Sequence, residues 1–283
     1  MTELDAAYEF SLVIATYGAA TGLPRALEAL TRQTRTDFEV IIVDQNGDDR
    51  IARMLDDFSD RLAVRHLRSP RGVSAARNRG IARARGRVVA FPDDDCWYAP
   101  DLLDRVHRFF DARLDAVGLS GRCIDPSGRV SAGATDRQAG LVTRSNVWHR
   151  GVSAAIFLRT RDVREVGGFD ESLGLGAATI FQSGEETDLL LRLLARGARI
   201  HYEPDLTVFH PLSSEPLGEA ARLRAWQYGL GMGRVLRKHG YGATSVGYHL
   251  IYPLAGSVVA LVCGRVALSR VRLARTLGRL RGW

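Results

Sequence analysis

Two hydrophobic periods alternate along the first part of the chain. Four short apolar runs rich in β-branched residues predict strands over residues 10–15, 38–43, 62–67 and 87–91. Stretches with helical spacing separate them, over residues 23–33, 50–58 and 73–84. Strands that alternate with helices in this way form βαβ units, in which neighbouring strands run parallel. We therefore predict an α/β fold with a mostly parallel sheet flanked by helices.

Polar residues follow the ends of these predicted strands. Thr16 and Tyr17 follow the first strand, Asp44 and Asn46 lie at the end of the second, and three aspartates follow the fourth. Ligands of such sheets bind in a crevice beyond the carboxyl ends of the strands. We expect these side chains to face one crevice.

The second half of the chain changes character after residue 211. Before it, the pattern predicts a strand over 152–158, a short helix over 161–166, an amphipathic helix over 185–196 and a strand over 206–209. After it, the pattern is helical, over residues 219–239 and then 247–280. The predicted organisation is a domain of residues 1–212 followed by a C-terminal helical region of residues 213–283.

Composition and charge narrow the functional classes. The 283 residues are 46% hydrophobic and 25% charged, which excludes a disordered or low-complexity chain. The net charge of +7 favours an anionic partner, which is a nucleic acid, a phosphorylated substrate or lipid headgroups. After Asp205 the only acids are Glu215 and Glu219, whereas arginines accumulate, so the positive excess belongs to the C-terminal region.

Cysteine usage and the first residues bear on location. The three cysteines are scattered, without the spacing of a zinc site or a disulfide framework, which indicates a reducing compartment. Residues 1–9 carry three acids and no base, so we expect no secretory signal peptide there. Both observations favour a cytoplasmic location.

Two acidic clusters are the candidates for chemistry. Asp93, Asp94 and Asp95 repel one another unless they are solvated or bind a cation, so the alternatives are a solvated acidic turn and a site for Mg²⁺ or Mn²⁺. The second cluster, residues 184–188, begins a predicted helix. Its acids either favour the positive helix start or include a general base.

Together these elements resemble the inverting family 2 glycosyltransferases, which have the GT-A fold, a Rossmann-like and mostly parallel sheet. Six motifs carry the resemblance in the order of the family, and they cover roughly residues 10–211. The motif at residues 38–49 includes the acidic end of the second strand, and the motif at residues 72–80 matches the pattern Gly-x-x-x-Ala-Arg-Asn. The motifs are residues 11–17, 38–49, 72–80, 93–95, 167–171 and 184–189.

The resemblance implies a nucleotide-sugar donor, with a UDP-sugar favoured. Thr16, Tyr17 and Asp44 would contact the nucleobase and ribose, and Arg77 would lie near the nucleotide. Asp93 and Asp94 would lie near the ribose or diphosphate.

The resemblance also implies a divalent cation, Mn²⁺ or Mg²⁺, and a catalytic base. Asp95 would bind the metal, with Asp93 and His210 as further candidate ligands. A histidine at a strand end is commonly structural, so that alternative stays open for His210. Glu186 stands where the family usually has its aspartate base. The departure from aspartate leaves Glu185 and Asp188 as alternatives.

The implied reaction is transfer of a sugar, with inversion, to an acceptor hydroxyl in polysaccharide, glycolipid or cell-envelope synthesis. The acceptor would be a carbohydrate or a lipid-linked molecule. A sugar-nucleotide nucleotidyltransferase is the alternative enzyme, but residues 16–21 lack the bases that hold a triphosphate. A basic nucleic-acid-binding module is the other alternative. No nucleic-acid motif is present, so we expect no nucleic-acid partner.

The C-terminal region carries a signal of its own. Residues 250–263 form an uncharged run, shorter than the roughly 20 residues that a spanning helix needs. Arginines interleaved with aliphatic residues follow, which is typical of a basic amphipathic helix on anionic lipid headgroups. The alternative is a helix packed on the catalytic domain or in a homo-oligomer. A membrane surface would place the enzyme at the inner face of the cell membrane.

Overall fold

The protein is described by a computed structural model over residues 7–133, 135–212 and 216–283. Residues 1–6, on which the expectation about a signal peptide partly rests, lie outside these ranges. So do residues 213–215, next to the expected domain boundary.

The predicted alternation of strands and helices in the first part of the chain is confirmed, with bounds that shift by a few residues. The strands are β1 (Tyr8–Thr16), β2 (Phe38–Asp44), β3 (Val64–Arg68) and β4 (Gly86–Ala90). The helices are α1 (Leu23–Leu30), α2 (Arg50–Asp56) and α3 (Val73–Arg83).

The middle of the chain holds more regular structure than the pattern predicts. Its elements are α4 (Leu102–Ala112), β5 (Ala116–Ile124), β6 (Gly140–Leu141), α5 (Val147–Arg150), β7 (Ile156–Arg159), α6 (Thr160–Glu165), α7 (Glu185–Ala195) and β8 (Arg199–Phe209). The strand predicted from residue 152 begins only at Ile156, because Ser153–Ala155 form a short 3-10 helix. The strand predicted over 206–209 is the end of the longer β8.

The C-terminal helices correct the sequence prediction in two respects. They are α8 (Glu219–Lys238), α9 (Ala243–Val262) and α10 (Val266–Gly282). The prediction of a single helix over 247–280 is wrong. The helix is interrupted at Gly264, whose φ of +71° lies in the left-handed region. The uncharged segment also reaches further back than residue 250. Among the described residues, the 20-residue α9 is the one helix that is long and apolar enough, by length and composition, to cross a membrane.

The strands form one eight-stranded sheet in the order β3-β2-β1-β4-β7-β5-β8-β6. The pairs β1–β2, β1–β4, β2–β3 and β5–β8 are parallel, whereas β7 is antiparallel to β4 and β5, and β6 to β8. The prediction of a mostly parallel sheet flanked by helices is thereby confirmed. Its parallel half places the carboxyl ends of β1, β2 and β4 at one edge.

The chain divides into two compact units. The first comprises the described residues within Met1–Arg71, Ala75–Phe169 and Leu189–Leu212, and it contains the sheet. Its core is built from the fully buried side chains of β1 and β2, together with leucines of α1 and α4. The second comprises Gly72–Ser74, Asp170–Asp188 and the described residues from 216 onward, and it contains α8, α9 and α10.

A close approach of two backbones fixes the register at the base of the sheet. The hydroxyl of Ser11 accepts the Gly86 N–H at 2.8 Å and donates to the buried Glu39 carboxylate at 2.7 Å. A Cβ on Gly86 would lie 2.9 Å from Phe10 Cα and closer to the Phe10 carbonyl carbon and the Ser11 nitrogen. Backbone atoms in the middle of a sheet have no room to move away.

We expect Gly86→Ala to lower the free energy of unfolding by about 1–3 kcal/mol, the usual cost of overpacking a core. The matched control is Gly247→Ala, in the interior of α9, where a Cβ meets nothing within 4 Å. That change should stabilise the helix by up to about 1 kcal/mol. Urea unfolding followed by circular dichroism measures both. Equal midpoints for the two variants would contradict the packing described here.

Candidate functional site

Three consecutive aspartates lie just beyond the carboxyl end of β4, and a buried arginine holds the first. Arg77, in α3, is 3% exposed. Its guanidinium donates to Asp93 Oδ1 at 3.1 Å and to Ser153 Oγ at 3.1 Å, and it lies over the Phe169 ring at 5.3 Å. The side chains of Asp93 and Asp95 keep 40% and 43% exposure. The acidic loop, residues 93–95, is therefore fixed on the protein side and open on the other.

The end of β1 holds the second aspartate. Thr16, which is buried, donates its hydroxyl hydrogen to Asp94 Oδ2 at 2.6 Å. The start of α1 packs directly on the same loop, because a Cβ on Gly22 would lie 2.5 Å from Asp95 Cα and 2.9 Å from the Asp94 carbonyl oxygen. The ends of β1 and β4 thus form one structural element around the carboxylates.

The end of β8 brings a histidine to the third aspartate. Trp97 and Phe209 form an isolated antiparallel bridge with two N–H···O bonds of 3.0 Å, and their rings stack at 5.6 Å. This bridge places His210 Nε2 3.7 Å from Asp95 Oδ1. The expected neighbours Asp95 and His210 are therefore brought together, across more than a hundred residues of sequence.

The donor atoms of this cluster fit a divalent cation. Atoms of Asp93, Cys96 and His210 lie within 4.8 Å of one another. Desolvation raises the pKa of Asp93, with Asp95 adding to the rise and Arg77 opposing it. Desolvation also raises the pKa of Asp94. A bound cation would stabilise both carboxylates. His210 Nδ1 is buried and has no hydrogen-bond partner among the described residues.

The thiol in this cluster is less suited to a hard cation. A hydrogen bond with Cys123, together with burial, raises the pKa of the Cys96 thiol far above its ordinary value. A protonated thiol is a poor ligand for Mg²⁺ or Mn²⁺, which prefer oxygen. Asp95, which is outside this three-residue cluster but 3.7 Å from His210 Nε2, offers carboxylate oxygen in place of the thiol.

Asp44 lies at the same edge of the sheet, but protein groups surround its carboxylate. It is fully buried at the end of β2. Oδ1 accepts the backbone N–H and the side-chain amide of Asn46 at 2.8 and 2.9 Å. Oδ2 lies 3.1 Å from His66 Nε2 and 2.9 Å from the Arg68 guanidinium. Asn46 in turn accepts the Gly18 N–H at 2.8 Å, which ties the loop after β1 to the loop after β2.

Tyr17 is exposed beside these loops. Its side chain is 54% exposed, and the Arg71 guanidinium lies 4.8 Å from its ring centroid. A flat, accessible ring beside a cation is suited to stacking on a base.

The three predicted base candidates occupy the first turn of α7, in the second unit. Glu185 and Asp188 are buried, whereas Glu186 is half-buried. Asp188 is fully buried, with Lys238 Nζ at 2.7 Å and His239 Nε2 at 2.8 Å from its Oδ1. Lys238 therefore compensates the charge of this carboxylate, and both contacts come from the end of α8.

Lys238 also reaches a second carboxylate, Asp170, at 2.6 Å. Burial acts to raise the pKa of Asp170, but hydrogen bonds from Lys238 and Ser172 outweigh it and lower the pKa. Lys238 and His239 were not among the site residues predicted from the sequence. A signal existed, since Lys238 is the single lysine in an arginine-rich chain.

Solved structures share this fold. The chain is similar to Staphylococcus aureus TarS 1–349 in complex with UDP, with a TM-score of 0.61 and 18% identity over 97% of this chain and 90% of that one. It is similar to the mannosyltransferase PcManGT of Pyrobaculum calidifontis in complex with GDP-Man and Mn²⁺, with a TM-score of 0.66 and 16% identity over 96% and 87%. The fold is therefore that of the GT-A glycosyltransferases.

The family follows from the sequence match. The model of Glycosyl transferase family 2 matches residues 11–161, and the chain belongs to this family. A curated relative is the succinoglycan biosynthesis protein ExoO of Rhizobium meliloti, 29% identical over 239 residues. That alignment covers 78% of this chain and 65% of ExoO, so the chain spans less than two thirds of this relative. Membership of this family favours a glycosyltransferase over the two alternatives, a sugar-nucleotide nucleotidyltransferase and a nucleic-acid-binding module.

The ion pair between Lys238 and Asp188 generates a prediction about stability. Lys238→Met removes a cation from a fully buried carboxylate, so the free energy of unfolding should fall by about 1–3 kcal/mol. Arg222→Met is the matched control, because Arg222 pairs with Glu219 on the surface and should contribute less than about 1 kcal/mol. Chemical denaturation gives both values. Equal losses would show that Asp188 does not depend on this lysine.

Proposed function

We propose that the enzyme transfers a sugar from a nucleoside diphosphate donor to an acceptor hydroxyl with inversion of the anomeric centre. One observation carries the proposal: Arg77 and His210 flank the acidic loop at the open edge of the sheet. Carboxylates that are fixed on one side and exposed on the other suit a cation, and a cation suits a diphosphate.

The proposed metal ligands are Asp95, Asp93 and His210. When bound there, Mn²⁺ or Mg²⁺ would act as a Lewis acid that neutralises charge on the leaving diphosphate. The presence of Mn²⁺ in the PcManGT complex supports divalent cation use in this fold. Asp94, held by Thr16, and Arg77 would orient the ribose and diphosphate.

The proposed donor is a UDP-sugar. Support comes from the UDP complex of TarS, whereas the GDP-Man complex of PcManGT makes a guanine donor the competing outcome. Tyr17 is accessible for stacking on the base. Because its carboxylate accepts hydrogen bonds from Asn46, we propose that Asp44 contributes to base recognition by holding the Asn46 loop. Titration calorimetry against UDP, dTDP and GDP ranks the three nucleotides.

Glu186 is the proposed base. Of the three acids, it is the one with partial exposure, while Asp188 is buried, forms an ion pair with Lys238 and contacts His239. The Glu186 carboxylate would accept the proton of the acceptor hydroxyl as that oxygen attacks the anomeric carbon opposite the leaving group. A single displacement inverts the configuration and requires no covalent intermediate. In this proposal Asp188 is a positioning residue that fixes the first turn of α7.

The proposed acceptor is a carbohydrate or lipid-linked molecule used in polysaccharide or cell-envelope synthesis. The name of ExoO, a succinoglycan biosynthesis protein, supports polysaccharide synthesis. We propose a cytoplasmic enzyme at the inner face of the cell membrane, where a lipid-linked acceptor is available.

The metal assignment predicts that Asp95→Asn weakens Mn²⁺-dependent UDP binding by about tenfold or more, which corresponds to about 1.4 kcal/mol. Asp115→Asn is the matched control, since Asp115 is exposed, directly precedes β5 and pairs with Arg199. Calorimetry with and without Mn²⁺ measures the change. An unaltered metal dependence in Asp95→Asn would remove Asp95 from the ligand set.

The base assignment predicts that Glu186→Gln leaves UDP binding intact while turnover falls by about a hundredfold or more. The amide keeps the size of the side chain but accepts no proton. Glu185→Gln, the matched control, should retain most activity. Release of UDP from a panel of UDP-sugars, with candidate acceptors and with water, is the measurement. If Glu185→Gln is the inactive variant, the base lies one residue earlier; normal rates in both variants and in Asp188→Asn would exclude the cluster.

A further inference from the structure

Helix α9 exposes its large apolar side chains, which is the reverse of the pattern in a helix of a soluble protein. The side chains that it buries form a narrow stripe of mostly small or polar groups, namely Val246, His249, Pro253, Ser257 and Ala260. The large apolar side chains point outward. We call this set the apolar face: Tyr248, Ile251, Tyr252, Val258, Val259 and Val262, with Tyr252 72% and Val262 82% exposed.

The apolar face runs along the helix rather than forming a local patch. From Tyr248 to Val262 it extends over about 21 Å, at 1.5 Å per residue. Exposed contiguous apolar surface of this kind marks a protein or membrane interaction site. Charge distinguishes between these two partners.

The surroundings of the apolar face are strongly basic. After Glu219 the chain contains no acid, whereas α10 and the turn before it carry Arg265, Arg270, Arg272, Arg275, Arg279 and Arg281. Arg265 and Arg270 are exposed next to the end of α9. Arginines beside exposed apolar and tyrosine side chains match an anionic lipid surface, with headgroups for the cations and acyl chains for the apolar groups. A second copy of this chain would instead bring like charges together.

Contacts between α9 and α10 limit the orientations that α9 could take in a bilayer. The two helices run antiparallel: Ser257 Oγ donates to the Ser269 carbonyl at 2.9 Å, and Arg272 donates to the Gly256 carbonyl at 2.6 Å. Arg279 donates to the carbonyl of His249. If α9 spanned the membrane with this packing, it would carry Arg272 and its neighbours into the hydrocarbon core, where charged side chains are costly.

The second side of α10 is held by α8. Gly229 and Gly233 of α8 face Gly278 and Gly282 of α10 so closely that a Cβ on any of the four would clash with backbone of the other helix. Helix α10 therefore stays with α8, and α9 stays with α10. The apolar face is the side of α9 that these contacts leave uncovered.

We propose that α9 lies in the plane of an anionic membrane, with the apolar face inserted at headgroup depth and the exposed Arg265 and Arg270 at the phosphates. This surface refines the proposed membrane location of the enzyme and rests on it. The sugar transfer is assayed separately below, so failure of one is distinguishable from failure of the other.

Flotation of the full chain with vesicles tests binding. Vesicles of phosphatidylcholine with phosphatidylglycerol should float the protein, and pure phosphatidylcholine should float much less. Ile251→Glu combined with Val259→Glu should reduce binding by at least about tenfold, as should Arg265→Glu with Arg270→Glu. The matched controls are Leu114→Glu and Arg108→Glu, which change exposed residues outside α9 and α10 and should bind normally. Circular dichroism confirms that each variant is folded.

Fluorescence quenching tests the in-plane orientation. Cys263 is exposed at the end of α9, whereas Cys96 and Cys123 are buried, so a thiol-reactive fluorophore labels Cys263 selectively. A second sample carries the label on Tyr252→Cys, in the middle of the helix, with Cys263→Ser. Lipids with spin labels at shallow and deep positions should quench both labels at the same shallow depth. A deep Tyr252 position with a shallow Cys263 position would show a spanning helix and overturn the proposal.

Two further results would overturn it. A monomer that does not bind anionic vesicles would show that lipid does not cover the apolar face. A dimer, seen by light scattering and dissociated by Ile251→Glu with Val259→Glu, would show that a second copy covers the face. UDP-sugar turnover without vesicles is measured in the same preparations. Normal turnover with no vesicle binding rejects the membrane surface alone, and vesicle binding with no turnover rejects the proposed reaction alone.

Discussion

The ion pair between Arg77 and Asp93 is the interaction on which the acidic loop depends. Three adjacent carboxylates at the end of one strand repel one another, and desolvation adds to the cost of their charge. A buried guanidinium, fixed by Ser153 and by the Phe169 ring, offsets part of that cost without closing the outer side of the loop. The fold thus retains an exposed group of carboxylates whose charge Arg77 offsets only in part.

Local patterning was sufficient to predict the parallel half of the sheet, because each strand there is a continuous apolar run between two helices. It failed for β5, whose glycines at 118 and 121 interrupt that pattern. A Cβ on Gly118 would lie 2.6 Å from the end of the Leu158 side chain, and one on Gly121 would clash with the Leu206 carbonyl oxygen, which leaves no room for a side chain at 121. Strand β5 is thus determined by close packing against β7 and β8, which hydropathy along the chain does not encode.

The candidate site likewise combines residues that local patterning predicts with contacts that it does not predict. The residues that follow the strands, such as Thr16 and Asp94, were predictable because a parallel sheet collects strand ends at one edge. The pairing of His210 with Asp95 depends on the Trp97–Phe209 bridge, and motif resemblance, not spacing, identified it. No local signal connects Asp188 with the end of α8, fifty residues later, so the compensation of its charge emerged only from the packed structure.

The contacts of Lys238 also have a consequence for proteolysis. An endoprotease specific for lysyl bonds can cut this sequence at one position, the bond that follows residue 238. The lysine side chain is engaged by Asp170 and Asp188, and the bond lies at the end of a helix, so cleavage requires that this helix end first opens. When reclosing is faster than cutting, the cleavage rate reports the equilibrium of that opening. The chain therefore contains a built-in, single-bond reporter of local unfolding, whose C-terminal fragment carries both α9 and α10.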